Sequence, residues 1–129
     1  LEAGGVLSDG PGSYYSPAVL TGVPRDSESY GVEIFGPVAT VYRVSSDEEA
    51  LELANDCALG LGGSVFSTDE ARATRVAQRL EVGMAHVNTI AAEAAELPFG
   101  GVKNSGFGRE MGPIGIGEFA NKRLFFVSA

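Results

Sequence analysis

The sequence predicts an α/β fold in which helices alternate with parallel strands. β-forming segments and helical segments follow one another in the order strand, helix, strand, helix, strand over residues 38–88. A Ser-x-x-Glu capping box precedes each of the two helices, and the links between elements are short. Such an order favours right-handed crossovers, which place consecutive strands in a parallel α/β layer.

The first half of the chain contains two predicted strands and one helix. Residues 16–23, SPAVLTGV, form a short strand that ends at a Pro-Arg-Asp turn, and the Val- and Tyr-containing residues 38–44 form the second strand. The capping box Ser46–Glu49 then begins a helix, and its acidic residues lie at the positive end of the helix dipole. This helix ends before Gly60.

The same pattern repeats in the second half. A strand at 64–67 leads to the capping box Ser67–Glu70, and Gly83 ends the helix that follows. Residues 84–88 form a further strand, and a long loop at 89–112 and a weak helix at about 113–120 come next. The spacing of one helix face is carried by Ala73, Val76, Ala77 and Leu80.

A last strand is predicted at residues 123–128, RLFFVS. Its four consecutive apolar residues, 124–127, give it two apolar faces, so both faces must be covered. We expect a partner subunit to cover one of them, which predicts a homo-oligomer.

Composition excludes several classes of function. The 129 residues carry a formal charge of −8, and that negative field disfavours nucleic acid as a partner. The sequence contains no apolar run of the roughly 20 residues needed to span a bilayer, no signal peptide and no basic amphipathic stretch. A single cysteine is typical of a reducing cytoplasm. Because the chain opens on a loop rather than on Met, we expect it to be a piece of a longer cytoplasmic protein.

The stretch LPFGGVKNSGFGRE, residues 97–110, contains four glycines and admits two interpretations. A dinucleotide-binding loop needs a strand directly before the glycines, a helix that starts on them and an acid about 20 residues later. The apolar residues 125–127 occupy that last position. We therefore favour a turn-rich loop in which glycines adopt a positive φ, and retain NAD binding by the loop as a lesser alternative.

Isolated reactive residues give weak signals. Cys57 lies at the end of a predicted helix, where the dipole raises a thiol pKa, so a buried and inert cysteine is expected. His86 on a strand is expected to be a hydrogen-bonded structural residue, and one Cys with one His makes no metal site. Glu93 and Glu96 are either paired catalytic acids or, as we favour, solvated loop residues.

Two motifs together indicate a family. EIFGPV at 33–38 and PFGGVKNSGFGRE at 98–110 resemble the C-terminal signatures of the aldehyde dehydrogenase superfamily, and the likeness extends from Gly4 to Val127. The resemblance implies NAD- or NADP-dependent oxidation of a small-molecule aldehyde to its carboxylic acid. In that family a cysteine thiolate attacks the aldehyde, hydride passes to the nicotinamide, and a water activated by a glutamate hydrolyses the thioester.

The resemblance also implies the roles of single residues. Glu33 matches the glutamate that accepts hydrogen bonds from the ribose on the nicotinamide side, and Phe35 matches an aromatic residue near the nicotinamide. Phe99 matches a wall of the aldehyde tunnel, and the loop Thr89–Leu97 would line its mouth. Glu110 matches an acid that moves protons or water beside the active site.

The same resemblance implies how the chain is divided and which chemistry it lacks. Residues 1–121 correspond to the C-terminal part of the catalytic domain and residues 122–129 to an oligomerisation strand. Lys103 and Arg109 are expected to hold the glycine-rich loop and the subunit interface. The family's nucleophile, general base and Rossmann domain lie upstream, and Cys57 does not match the catalytic position, so the segment alone is expected to be inactive.

The substrate and the class of protein each leave an alternative. ELPFGGVK favours the succinate-semialdehyde branch, but the loop AAEAAEL lacks a hydroxyl, and Glu93 and Glu96 would repel an anionic substrate. Asn121 stands where many relatives have an interface glutamate. The alternative to an enzyme segment is a non-catalytic assembly or binding module with the same fold.

Overall fold

The structure is a computed structural model that describes residues 1–92 and 94–129. The chain divides into two compact units, Leu1–Ala50 and Leu51–Ala129. Within the described residues, the buried hydrophobic side chains are Ala18, Leu51, Ala73 and Ala77.

The first unit contains a parallel pair of strands. Strand β1 (Ala18–Thr21) pairs with β2 (Val38–Val41), with Ala18 opposite Val38. An N-terminal segment adds an antiparallel bridge to β1 between Ala3 and Val19. Both predicted strands are therefore confirmed, with shorter bounds than the sequence indicates.

Helix α1 (Asp47–Asn55) begins as the capping box predicts, with one difference. Ser46 Oγ accepts a hydrogen bond from Glu49 N–H at 3.1 Å. The Glu49 carboxylate bonds to Ser45 N–H and Ser45 Oγ, both at 2.7 Å, so the return contact goes to Ser45 instead of Ser46. The hydrogen bond from the Ser45 backbone, followed by that from its hydroxyl, holds the pKa of Glu49 below its ordinary value.

The second unit contains the predicted strand–helix–strand repeat. Strand β4 (Gly62–Val65) runs parallel to β5 (Met84–Val87), and helix α2 (Glu70–Ala77) packs on both. Ala73 and Ala77 are buried on α2, which confirms that part of the predicted face, but the helix ends at Ala77 instead of at Gly83, so Leu80 lies beyond it. The predicted Ser67–Glu70 box is wrong, because the Asp69 carboxylate caps α2 by accepting from Arg72 N–H at 2.9 Å.

Two features differ from the expected layer of consecutive parallel strands. β2 pairs with β1, whereas β4 pairs with β5, so the strands at 38–88 do not form one ladder. A short antiparallel pair, β3 (Leu59–Gly60) with β6 (Val102–Lys103), is also present. Two-residue strands are too short to show alternation of apolar and polar residues, so the sequence did not predict them.

The C-terminal region contains one confirmed helix and one missing strand. Helix α3 (Gly112–Glu118) lies where the weak helix is predicted. Residues 121–129 are outside helices and strands, so the predicted strand at 123–128 does not form within this chain. A strand needs a neighbour for its backbone hydrogen bonds, and nothing in the described part of the chain pairs with it. The oligomerisation role of 122–129 stays a prediction.

Candidate active site

The glycine-rich loop closes on itself because its two ends pair as antiparallel backbone. Phe99 N–H donates to the Glu110 carbonyl oxygen, and Glu110 N–H donates to the Phe99 carbonyl oxygen, both at 2.8 Å. Residues directly opposite in an antiparallel pair place their side chains on the same face. Two of the predicted site residues are therefore neighbours.

The glycines of this loop serve its turns. Gly106 has φ 111° and Gly108 has φ 80°, a region that residues with a Cβ rarely adopt. In a dinucleotide-binding loop, a parallel strand leads directly into a helix. Here β6 is antiparallel to β3, and residues 104–111 separate it from α3. The structure thus favours the turn interpretation over the phosphate-binding one.

A cavity of about 300 Å³ lies beside the Phe99–Glu110 pair. This volume is at the lower end of the range for small-molecule sites. Phe99 is half-buried and Glu110 is exposed, and their roles as a tunnel wall and as a proton- or water-moving acid stay predictions. Aromatic, carboxylate and guanidinium groups share the lining, which includes Leu61, Phe99, Phe107, Arg109, Glu110 and Glu118.

Arg109 binds the backbone of its own loop. Its Nη1 donates to the carbonyl oxygens of Gly101 at 2.7 Å and Gly108 at 2.6 Å. Lys103 likewise donates to backbone carbonyl groups. The prediction that both residues hold the loop is confirmed, while their part in a subunit interface stays a prediction.

Close contacts between backbones fix the position of the loop, and the sequence does not predict them. A Cβ on Gly83 would lie 1.9 Å from the Gly100 carbonyl oxygen, and one on Gly60 would lie 2.6 Å from the Glu81 carbonyl oxygen. Ser105 Oγ accepts a hydrogen bond from Gly60 N–H at 2.9 Å. The available signal is the pair of glycines Gly60 and Gly83, which the helix pattern alone marks only as helix stops.

The predicted cofactor residues belong to the other unit. Glu33 and Phe35 lie in the exposed segment before β2, and Phe35 is 97% exposed. Gly36 N–H donates to the Ile34 carbonyl oxygen at 2.7 Å, which closes a tight turn centred on Phe35. Because Leu1–Ala50 is a unit separate from the one containing the cavity, both cofactor assignments stay predictions.

The lone cysteine and histidine each depart in part from the expected buried or fully hydrogen-bonded state. Cys57 is half-buried, and its Sγ accepts from Leu59 N–H at 3.4 Å. His86 lies opposite Ser64 in the β4–β5 pair. The buried Nδ1 of His86 has no hydrogen-bond partner among the described residues, so the expected full hydrogen bonding fails at this atom.

Other predictions concern metals, membranes and the loop at 89–97. No group of three or more metal-ligating residues occurs within residues 1–92 and 94–129. No helix in that part of the chain is long and apolar enough to cross a membrane.

The loop at 89–97 carries two predicted glutamates. Glu93 lies outside the described residues, and Glu96 is exposed, as expected of a solvated loop residue. The substrate-loop role of 89–97 stays a prediction.

Comparisons with known proteins agree with the motifs. The model of the aldehyde dehydrogenase family matches residues 1–124. Succinate-semialdehyde dehydrogenase [NADP(+)] of Deinococcus radiodurans is 53% identical over 124 residues, which are 96% of this chain and 26% of that protein.

Solved structures give the same result. Gox0499 is 51% identical with a TM-score of 0.90, and succinic semialdehyde dehydrogenase from Streptococcus pyogenes, in complex with NADP+, is 43% identical with a TM-score of 0.89. Each match covers 98% of this chain and 28% of the other. The chain thus spans about a quarter of the length of the relatives it matches.

Proposed function

Because the chain belongs to the aldehyde dehydrogenase family, we propose that it is a segment of an oxidoreductase that oxidises an aldehyde to a carboxylic acid with NAD or NADP. The family match over residues 1–124 is the observation that carries this proposal. The two motifs at 33–38 and 98–110 further support placing the segment in the C-terminal part of the enzyme. The nucleophile and the general base would then come from outside these 129 residues.

Each site residue has a role in this proposal that suits its chemistry. Glu33 would bind the ribose hydroxyls, since its exposed carboxylate offers two acceptor oxygens, and Phe35 would pack near the nicotinamide. The nicotinamide, when bound by these residues, would supply the hydride acceptor for the oxidation. Phe99 would form a wall of the aldehyde site, and Glu110 beside it would move a proton or position a water. The backbone pair between Phe99 and Glu110 keeps these two functions adjacent.

Succinate semialdehyde is the substrate that the relatives favour. Matched proteins from Deinococcus radiodurans and Streptococcus pyogenes are named for it. Such a substrate carries a distal carboxylate, which needs a cation or a hydroxyl to bind it. Arg109 Nη1 donates to two backbone carbonyl oxygens. The carboxyl groups of Glu110 and Glu118 also line the cavity. Among the groups that line the cavity, the Ser105 hydroxyl and the other guanidinium nitrogens of Arg109 are therefore the candidates to bind the distal carboxylate.

A substrate panel on the full-length protein tests these proposals. We expect reduction of NAD or NADP with succinate semialdehyde, and weaker activity with uncharged aldehydes of similar length. Equal activity with both substrate classes would refute the succinate-semialdehyde assignment. Absence of cofactor reduction with every aldehyde would refute the oxidoreductase and favour the non-catalytic module.

We also propose a homo-oligomer joined through residues 122–129. A strict monomer in light scattering would contradict this proposal.

A further inference from the structure

Lys103 is an unusual residue at the tip of the glycine-rich loop. Its φ is 55°, in the left-handed region that residues other than glycine seldom occupy. Such a conformation persists only where surrounding contacts determine it, and such residues cluster at functional sites. The contacts of the side chain therefore decide why lysine stands here.

The Lys103 ammonium has three hydrogen-bond donors and three acceptors nearby. Nζ lies 2.7 Å from the Asn55 carbonyl oxygen, 3.1 Å from the Cys57 carbonyl oxygen and 2.7 Å from Glu81 Oε2. The two carbonyl groups come from the last residue of α1 and from just beyond it, where helix carbonyls lack helical partners and attract cations. The Glu81 side chain is 59% exposed, so solvent weakens its ion pair with Lys103.

Asn55 ties a third segment to the same point. Its Nδ2 donates to the Arg79 carbonyl oxygen at 3.0 Å, and its Oδ1 accepts from Glu81 N–H at 2.9 Å. Lys103, Asn55 and Glu81, which we call the latch, thus join the glycine-rich loop, the end of α1 and the link between α2 and β5. Asn104 N–H also donates to the Ala58 carbonyl oxygen at 2.8 Å, which fixes the loop beside the latch.

We propose that Lys103 is a positioning residue for the cavity, holding the tip of the loop whose base carries the Phe99–Glu110 pair. The latch and the pair are the two ends of one closed loop, and β6 and the residues after it connect them. Release of the tip lets the base move and loosens the wall next to the substrate. This inference rests on the proposed aldehyde oxidation at the cavity.

The test compares Lys103→Met with Arg75→Met in the full-length protein. Met keeps the length of the side chain and removes the three donors, whereas Arg75 is an exposed cation on α2 outside the site. Hydrogen exchange of the peptide 97–111 is expected to become at least about threefold faster in Lys103→Met only, with exchange in α2 unchanged. The aldehyde KM is expected to rise about tenfold while the cofactor KM stays constant, since the Phe99 wall contacts the aldehyde.

The outcomes separate the possibilities. Exchange and aldehyde KM equal to those of the wild type, or exchange that accelerates equally in α2, would overturn the positioning role. If Lys103→Met does not fold, Lys103→Arg decides, because it keeps the charge but its planar guanidinium cannot serve three acceptors around one nitrogen. For Lys103→Arg, hydrogen exchange that is faster than in the wild type within residues 97–111 alone, by less than the threefold expected of Lys103→Met, supports the proposal. Unchanged exchange in Lys103→Arg overturns it. If the wild type oxidises no aldehyde, the proposed function fails while the exchange comparison still tests the latch.

Discussion

Gly83 lies where two backbone segments are too close for any side chain. Its substitution tests whether this close approach positions the loop that carries Phe99. A Cβ added at Gly83 would stand 1.9 Å from the Gly100 carbonyl oxygen and 2.7 Å from Gly101 Cα. Real Cβ atoms essentially never approach another atom closer than 3.0 Å. The Gly83→Ala variant must therefore displace Gly100, the residue directly after Phe99.

The size of the displacement sets the expected effect. Gly100 must move by about 1.1 Å to reach the 3.0 Å minimum, and both colliding atoms at this point belong to backbone, which cannot rotate away as a side chain can. A misplacement of about 1 Å costs a catalytic site roughly 10²-fold. We therefore expect kcat/KM for the aldehyde to fall about 10²-fold, and the free energy of unfolding to fall by about 1–3 kcal/mol through overpacking.

Steady-state kinetics of the full-length protein, with thermal unfolding by circular dichroism, measure both quantities. Gly62→Ala is the matched control, because a Cβ there meets its nearest atom, the Met84 carbonyl oxygen, at 3.4 Å, within ordinary contact. Both variants replace a glycine with alanine within the β4–α2–β5 segment. A Gly83→Ala enzyme with kcat/KM within about threefold of the wild type would refute the claim that this crossing positions Phe99.

Three other substitutions test separate parts of the molecule. Glu110→Gln should lower kcat by about tenfold or more with little change in the cofactor KM, since it removes the proton acceptor and keeps the backbone pair; an unchanged kcat and pH profile would exclude that role. Glu33→Ala should raise the cofactor KM by about tenfold, because a hydrogen bond to a charged acceptor contributes about 1.5–3 kcal/mol; unchanged cofactor kinetics would exclude the assignment. Glu49→Gln should destabilise the protein above the ordinary pKa of 4.5 and lose this effect as pH falls, because the Ser45 bonds lower the pKa of Glu49 in the folded state and so stabilise it only while it is ionised. Melting temperatures of wild type and Glu49→Gln should converge in acid, and a constant difference across pH would contradict the Ser45 contact.

Much of the fold could be predicted from the sequence because the signals are local. The apolar face of α2 and the β-forming residues of β5 each lie within one element, so a short window reveals them, whereas the predicted helix end at Gly83 is wrong because the helix stops at Ala77. The cap of α2 was assigned wrongly because Ser67 and Asp69 both offer an acceptor. Ser67 Oγ accepts from Asp69 N–H at 3.1 Å instead, and the carboxylate takes the helix position.

Strand pairing and the site could be predicted only in part, because their determinants lie far apart in sequence. The two motifs identify Phe99 and Glu110 by resemblance, but no local pattern indicates that they exchange both backbone hydrogen bonds. The β3–β6 pair joins residues more than 40 positions apart, and each strand has two residues. Only the tertiary structure shows such contacts, since neither propensity nor periodicity records them.

The geometry of the glycine-rich loop is therefore encoded largely outside the motif that identifies it. Within 97–110, the glycines permit the turns and Arg109 closes them, but these contacts would hold equally well wherever the loop were placed. The position of the loop depends on the close approach at Gly83, on the Gly60 N–H bound by Ser105, and on the carbonyl groups that Lys103 reaches at the end of α1. A change at one of those distant positions should displace the site while every residue of the motif remains, so a conserved motif is insufficient evidence that a variant keeps its activity.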